Sequence, residues 1–305
     1  MQRSAARPAP PPARGGTVRA VSWVGLLLIA TAAVAIGSVA VPPLEVLGAV
    51  RRGLLGRSEG PIDAIVWQVR LPRVLLAGLT GAALSLAGVA YQAVFRNPLA
   101  DPYLLGAASG AGFGATLALV YGASVPALAA LGVGPAAFLA AAATVAGVLL
   151  LARRGGRLPI VSLILAGVVL GSSLSAATSF VMLADRERTA GVLSWLLGSF
   201  AFAGWGDVVR LAAVLAPLVP AALAARRAFD LMQLGEASAR QLGLPVERFK
   251  WLVVTGATLA TAAAVAVAGV IGFVGLIVPH AVRLAIGPRH RDCLLYTSDA
   301  ADEED

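Results

Sequence analysis

Long apolar runs, each broken by a short polar or proline-bearing segment, follow one another from about residue 21 to residue 287. A helix of roughly 20 apolar residues crosses a bilayer core of about 30 Å. On that measure eight spans are predicted, at 21–41, 71–94, 103–122, 126–152, 160–183, 206–226, 250–268 and 270–287. Pro72, Pro126 and Pro159 fall near span starts, where a missing N–H costs least. The first run is long for the apolar core of a secretory signal, and no clear small-residue cleavage site precedes Pro42 and Pro43. It therefore reads as a retained span rather than a cleaved leader. Residues 42–69 are mixed in character and read as a loop with a short interfacial helix. The fold class predicted is all-α, a polytopic helical membrane protein.

One polar island interrupts this pattern, Leu234 to Pro245 (LGEASARQLGLP). Glu236 in its first turn and Arg240 near its end both suit the helix dipole. Gly243 fits a C-terminal cap and Pro245 a stop. Ala239 and Leu242, three apart, are expected on one face. From spacing alone, the island fits an interfacial connector as well as a handle for a soluble partner.

Composition supports the lipid-phase reading. The chain is 58% apolar and 13% charged, with mean hydropathy +0.84, whereas soluble domains carry roughly 25% charged residues. The net charge of +8 comes from arginines flanking the spans and not from a basic patch interleaved with aromatics, so nucleic acid is not an expected partner. With the N-terminus inside, about twice as many cationic residues lie inside as outside. That places the island on the cytoplasmic face and residues 1–19, rich in Pro, Ala and Arg, as a disordered cytoplasmic tail. The first outer loop is nonetheless unusually basic.

Little in the chain suggests catalysis. Lys250 is the sole lysine and follows no glycine spacing of a phosphate-cradling loop, so the chain is not itself a P-loop ATPase. Cys293 is the sole cysteine, and the two histidines, His280 and His290, make a poor metal site, so no metal site and no resident cofactor are expected. Asn97 and Asp101 read as turn residues, and Asp185, Glu187 and Asp207 as solvated acids. The fifth span carries Ser162, Ser172, Ser173, Ser175, Thr178 and Ser179. Such hydroxyls either bond across helices or line a wet path.

Three stretches taken together go further. The first is Trp67-Gln-Val-Arg-Leu-Pro-Arg73, running into Gly81–Gly88, Gln92–Pro102, Leu105-Gly106 and Ser109-Gly110. The second is the island, and the third is Ala268-Gly-Val-Ile-Gly-Phe-Val-Gly-Leu-Ile-Val-Pro-His280 followed by Arg283. In this order they closely resemble the permease subunits of ATP-binding-cassette importers for ferric siderophores, haem and vitamin B12, over residues 20–291. The resemblance implies ten spans per subunit and a homodimer or close heterodimer of permeases in the bacterial cytoplasmic (inner) membrane. It also implies two cytoplasmic ATPase subunits and an extracytoplasmic solute-binding protein. It implies that Gly235, Glu236, Ala239, Arg240, Leu242 and Gly243 form the ATPase-coupling helix and that Arg70 and Arg73 receive the binding protein. The rival role for those arginines is interfacial snorkelling. The resemblance also makes Ser172, Ser175, Thr178 and Ser179 candidates for the translocation pathway. Pro159, Ile160 and Val161 stand where the vitamin B12 transporter carries polar gate residues, so the gate chemistry differs. A ferric siderophore is the expected cargo, with haem or cobalamin as the alternative. An ion-coupled secondary transporter is a more distant rival, since such proteins need ionisable groups near the midplane.

After Asp292 the composition changes abruptly. Residues 292–305 resemble the translation of a sequencing-library adapter, and the family pattern would supply two more spans beyond Arg291. The expectation is a permease domain over 20–291 that lacks its C-terminal part.

Overall fold

The computed structural model describes residues 15–57 and 60–286. The expected tail lies outside them up to residue 14, as do His290, Cys293 and the whole of residues 292–305. The described residues form an all-α bundle. Its helices are α1 (Gly15–Ala35), α2 (Pro43–Leu54), α3 (Pro61–Ala64), a π-helical turn (Ile65–Arg70), α4 (Leu71–Phe95), α5 (Ala107–Tyr121) and α6 (Pro126–Leu131). These are followed by α7 (Val133–Ala152), α8 (Ile160–Ala184), α9 (Thr189–Leu196), α10 (Trp205–Ala224), α11 (Arg226–Gln233), α12 (Glu236–Gln241), α13 (Val246–Ala268) and α14 (Val274–Ile286).

Five helical stretches are long and apolar enough to cross a membrane: Pro61–Phe95, Val133–Ala152, Ile160–Ala184, Trp205–Ala224 and Val246–Ala268. The other three predicted spans correspond to shorter apolar helices, Ala20–Ala35, Ala107–Tyr121 and Val274–Arg283. The physical reasons are local. The 103–122 run loses its start to a turn in which Asp101 Oδ1 accepts the Tyr103 N–H at 2.7 Å. The 126–152 run is cut at Gly132, whose φ of 78° breaks the helix. The 270–287 run begins only at Val274, because residues 269–273 are non-helical. The expected loop 42–69 is instead mostly helical, and α3, the π turn and α4 run on as a single 35-residue rod. The α1 helix begins at Gly15, inside the segment expected to be a tail.

The centre of the bundle is α4, 72% of whose most apolar window is buried, against 17% for α8. Small residues set the closest approaches. A side chain on Gly88 of α4 would overlap the Gly275 carbonyl of α14, and one on Gly275 would lie 2.6 Å from the Leu84 carbonyl. Gly110 and Gly114 of α5 sit as tightly against Thr144, Ala136 and Ala140 of α7. Without a hydrophobic force between helices in lipid, such close backbone packing supplies the attraction. Inside, Tyr91 and Thr258 share a hydroxyl hydrogen bond of 3.0 Å between α4 and α13.

The polar residues flanking the spans tie helix ends together. Arg52 donates two hydrogen bonds, of 2.7 and 2.6 Å, to the buried carboxylate of Asp63. Asp207 accepts the Gly204 N–H at 3.1 Å at the start of α10 and pairs with Arg210 at 2.7 Å. Asp185 accepts the Arg188 N–H at 3.2 Å, and the Arg188 guanidinium reaches the Val120 carbonyl. The reading of Asp185 and Asp207 as merely solvated is therefore corrected, and the basic segment that holds Arg51, Arg52 and Arg57 has part of its reason in Asp63. Glu187 is exposed.

Candidate functional site

At one end of the bundle, α12 is a single polar helix bounded by two glycines in left-handed space, Gly235 (φ 100°) and Gly243 (φ 88°). It ends in a Schellman motif: the Leu244 N–H donates to the Ala239 carbonyl at 3.0 Å and the Gly243 N–H to the Arg240 carbonyl at 3.1 Å. The expected cap at Gly243 is thus present. The expected shared face of Ala239 and Leu242 is not. The helix closes at Gln241, so Ala239 is fully buried while Leu242, in the cap, is 60% exposed. Arg240, Gln241 and Gly243 are also exposed, and Arg96 packs its guanidinium against Gly235.

Sequence reasoning missed what holds this helix. Lys250, near the start of α13, is 1% exposed. Its ammonium donates to the Leu158 carbonyl at 2.9 Å, lies 3.2 Å from Glu236 Oε1 and 3.1 Å from Glu247 Oε1. Glu247 uses its other oxygen to accept the Leu158 N–H at 2.9 Å. Arg240 stands 3.9 Å from Glu236 and 3.8 Å from Glu247. Two acids and two bases therefore close a neutral quartet joining α12, α13 and the residue that leads into α8. The available signal was one lysine among 24 cationic residues, three positions after a glutamate and so on the same helical face.

At the opposite end the two singled-out arginines differ. Arg70 is 8% exposed. Its guanidinium donates to the carbonyls of Val34 at 2.8 Å, Ala35 at 3.0 Å and Val39, capping the end of α1. Arg73 is exposed and donates to the carbonyls of Phe200 at 3.0 Å and Ala201 at 2.8 Å. Beside it, Trp67 and Trp205 lie 4.8 Å apart, centre to centre, joined by a 2.9 Å bond from the Trp205 N–H to the Trp67 carbonyl.

The hydroxyls of α8 also divide. Ser172, Ser175 and Ser179 lie on an exposed face, and Ser175 donates to Ser109 of α5 at 3.1 Å. Thr178 is turned inward, 7% exposed, its hydroxyl bonded to the Leu174 carbonyl of its own helix at 2.9 Å. A cavity of about 820 Å³ opens between α5, α7, α9, α10 and α13, with Ser194, Ser199, Asp207 and Arg210 among mostly apolar walls. Beside its Gly269 wall, Tyr103 donates to the Ile271 carbonyl at 2.9 Å. Among the described residues no group of three or more His, Cys, Asp or Glu is placed to hold a metal ion. His280 is exposed on α14.

The profile of the FecCD transport family matches residues 25–298. The chain belongs to the FecCD transport family. Membership makes it a permease of the ATP-binding-cassette kind and not an enzyme in its own right. It is 40% identical over 229 residues to the cobalamin import system permease protein BtuC of Halobacterium salinarum, covering 75% of this chain and 61% of that protein. Against the hemin transport system permease protein HmuU of Yersinia pestis it is 33% identical, covering 93% and 88%. Against the molybdate import system permease protein MolB of Haemophilus influenzae it is 34% identical, covering 89% and 81%. A solved ABC transporter assigned to the metal-chelate type, in an inward-facing conformation, superposes with TM-score 0.79 at 30% identity, covering 94% of this chain and 87% of that one.

Proposed function

We propose that this chain is the membrane-spanning permease subunit of an ATP-driven importer in the bacterial cytoplasmic membrane. A second permease subunit covers the exposed face of α8, two ATPase subunits bind at the α12 end, and an extracytoplasmic binding protein docks at the Arg73 end. The N-terminus is cytoplasmic on this reading. The three shorter apolar helices join the five long ones as crossings of a ten-span family fold. The observation that carries it is α12 itself: a rigid, glycine-bounded polar helix fixed to the end of an apolar bundle by Lys250. ATP-driven closure of a partner would move such a helix as a body and rock the spans attached to it.

The coupling surface is the exposed Arg240, Gln241, Leu242 and Gly243, with Gly235, Glu236 and Ala239 as its seat. The pathway stripe is Ser172, Ser175 and Ser179, with Thr178 behind it. Arg73 is the docking charge of the outer rim, and Arg70 shapes that rim by holding α1. For cargo, two of the three relatives' names, cobalamin and hemin, favour a metal macrocycle and the third names molybdate, so a macrocycle stands ahead of the ferric siderophore expected from sequence. The test is reconstitution with the partner ATPase and binding protein, measuring uptake of labelled cyanocobalamin, haemin, ferrichrome and molybdate. ATP-dependent, vanadate-sensitive uptake of either macrocycle is expected. Uptake of ferrichrome alone would restore the siderophore reading, and uptake driven by a proton gradient without ATP would refute the importer.

A further inference from the structure

The Lys250 cluster joins two elements with different proposed tasks, and its geometry says how. An ammonium has three N–H donors and no acceptor. Here it donates to Glu236 of α12 and to the Leu158 carbonyl of the loop before α8, and pairs as an ion with Glu247 of α13 at 3.1 Å, so that three segments meet on one ammonium. Both backbone polar groups of Leu158 are consumed, the carbonyl by Lys250 and the N–H by Glu247. The next residue is Pro159, the N-cap of α8, with φ −65°. Proline's ring fixes that torsion, so the joint between Leu158 and α8 is stiff. No side chain caps the start of α8, which leaves the Leu158 clamp as the polar tie at that end.

We propose that Lys250 is a positioning residue that links the coupling helix to the pathway helix, so that α12 and the start of α8 move as one body. The inference rests on the reading of α12 as the ATPase-docking helix and of α8 as the wall of the pathway. A buried ion pair that only held the fold could be exchanged for an apolar side chain of like volume with little loss. A link between moving parts could not, because an apolar side chain grips neither Glu236 nor the Leu158 carbonyl.

The test uses the full chain with Cys293→Ser, co-purified with its ATPase in lipid nanodiscs. Nitroxide labels are placed at two exposed positions, Ala237→Cys on α12 and Val161→Cys at the start of α8. Pulsed electron resonance then gives the α12–α8 distance distribution without and with ATP and vanadate. The expected result is a narrow distribution that nucleotide leaves in place. In Lys250→Met it broadens roughly twofold and shifts with nucleotide, and Lys250→Arg restores it, as for a rigid-body joint that has been cut and remade. A Lys250→Met distribution as narrow as the unsubstituted one, in both nucleotide states, overturns the inference. Should Lys250→Met not assemble with the ATPase, Glu247→Gln is read in the same way, since it weakens the Leu158 clamp and leaves the lysine in place. Loss of assembly in both variants would make the cluster a folding element and also overturn the inference. The docking reading fails separately, if Leu242→Arg leaves ATPase co-purification intact.

Discussion

At the scale of single residues, two motif glycines set a helix crossing and Arg70 caps a helix end. Gly88 and Gly275 meet where α4 crosses α14, and a methyl group on Gly88 would occupy the space of the Gly275 carbonyl oxygen. Gly88→Ala is therefore expected to lower stability by about 1–3 kcal/mol, the usual size of overpacking, read as an earlier thermal unfolding in detergent. Gly78→Ala on the same helix meets nothing within 4 Å and serves as the control, since helix propensity alone favours it by about 1 kcal/mol. The arginines separate in the same manner. Arg70→Glu would set a carboxylate against the carbonyls that end α1, a buried like-polarity contact that destabilises the fold. Arg73→Glu, at an exposed site, should leave unfolding unchanged and weaken the binding protein's affinity, measured by calorimetry. Equal affinity in that variant would leave the rim arginine without a docking role.

At the scale of elements, the sequence was most legible where periodicity and caps agreed. The 160–183 prediction lies within one residue of α8, Ile160–Ala184, because its apolar run is uninterrupted and flanked by Pro159 and Asp185. The cap of α12 at Gly243 could be read because a glycine followed by a proline marks a helix end. What could not be read were non-local ties. Whether an apolar run stays one helix depends on Gly132, whose positive φ hydropathy does not report. The short α9 and α11 helices fell below any window that counts apolar residues, although Phe229 and Met232 of α11 are buried. The Lys250 quartet joins positions 92 residues apart, a separation no local pattern encodes. Two outcomes follow for α12. Gly243→Ala would force a side chain into left-handed space and cost about 1 kcal/mol, loosening the helix end, seen as faster hydrogen exchange at Leu244. Leu242→Arg, at a 60% exposed site, should leave the melting curve alone and abolish co-purification with the ATPase.

At the scale of the whole molecule, exposure is distributed unevenly between the helices. α4 is wrapped on all sides, while α8 leaves Val161, Leu165, Val168, Phe180 and Leu183 uncovered on the helix that also bears Ser172, Ser175 and Ser179. Lipid alone would suit the apolar side chains but not three hydroxyls in a row, since polar groups in hydrocarbon find partners or water. Ser173 and Ser179 do turn back to their own helix, onto the Val169 and Ser175 carbonyls at 2.8 and 3.0 Å, and Ser175 reaches Ser109. Such back-bonding lets a hydroxyl tolerate either environment, so chemistry alone does not choose between packing and a wet path. Water access does. Cysteines placed singly at Ser172, Ser175 and Ser179, in the Cys293→Ser background, should react with a membrane-impermeant methanethiosulfonate in the assembled transporter. Cysteine at Thr178, turned into the bundle, should not. Protection of all three serine positions in every nucleotide state would assign the stripe to helix packing, and the pathway would then have to run elsewhere. Protection that appears only when ATP and vanadate are bound would mean that α8 closes on the second permease subunit, the motion that a rigid tie from α12 through Lys250 and Pro159 would deliver.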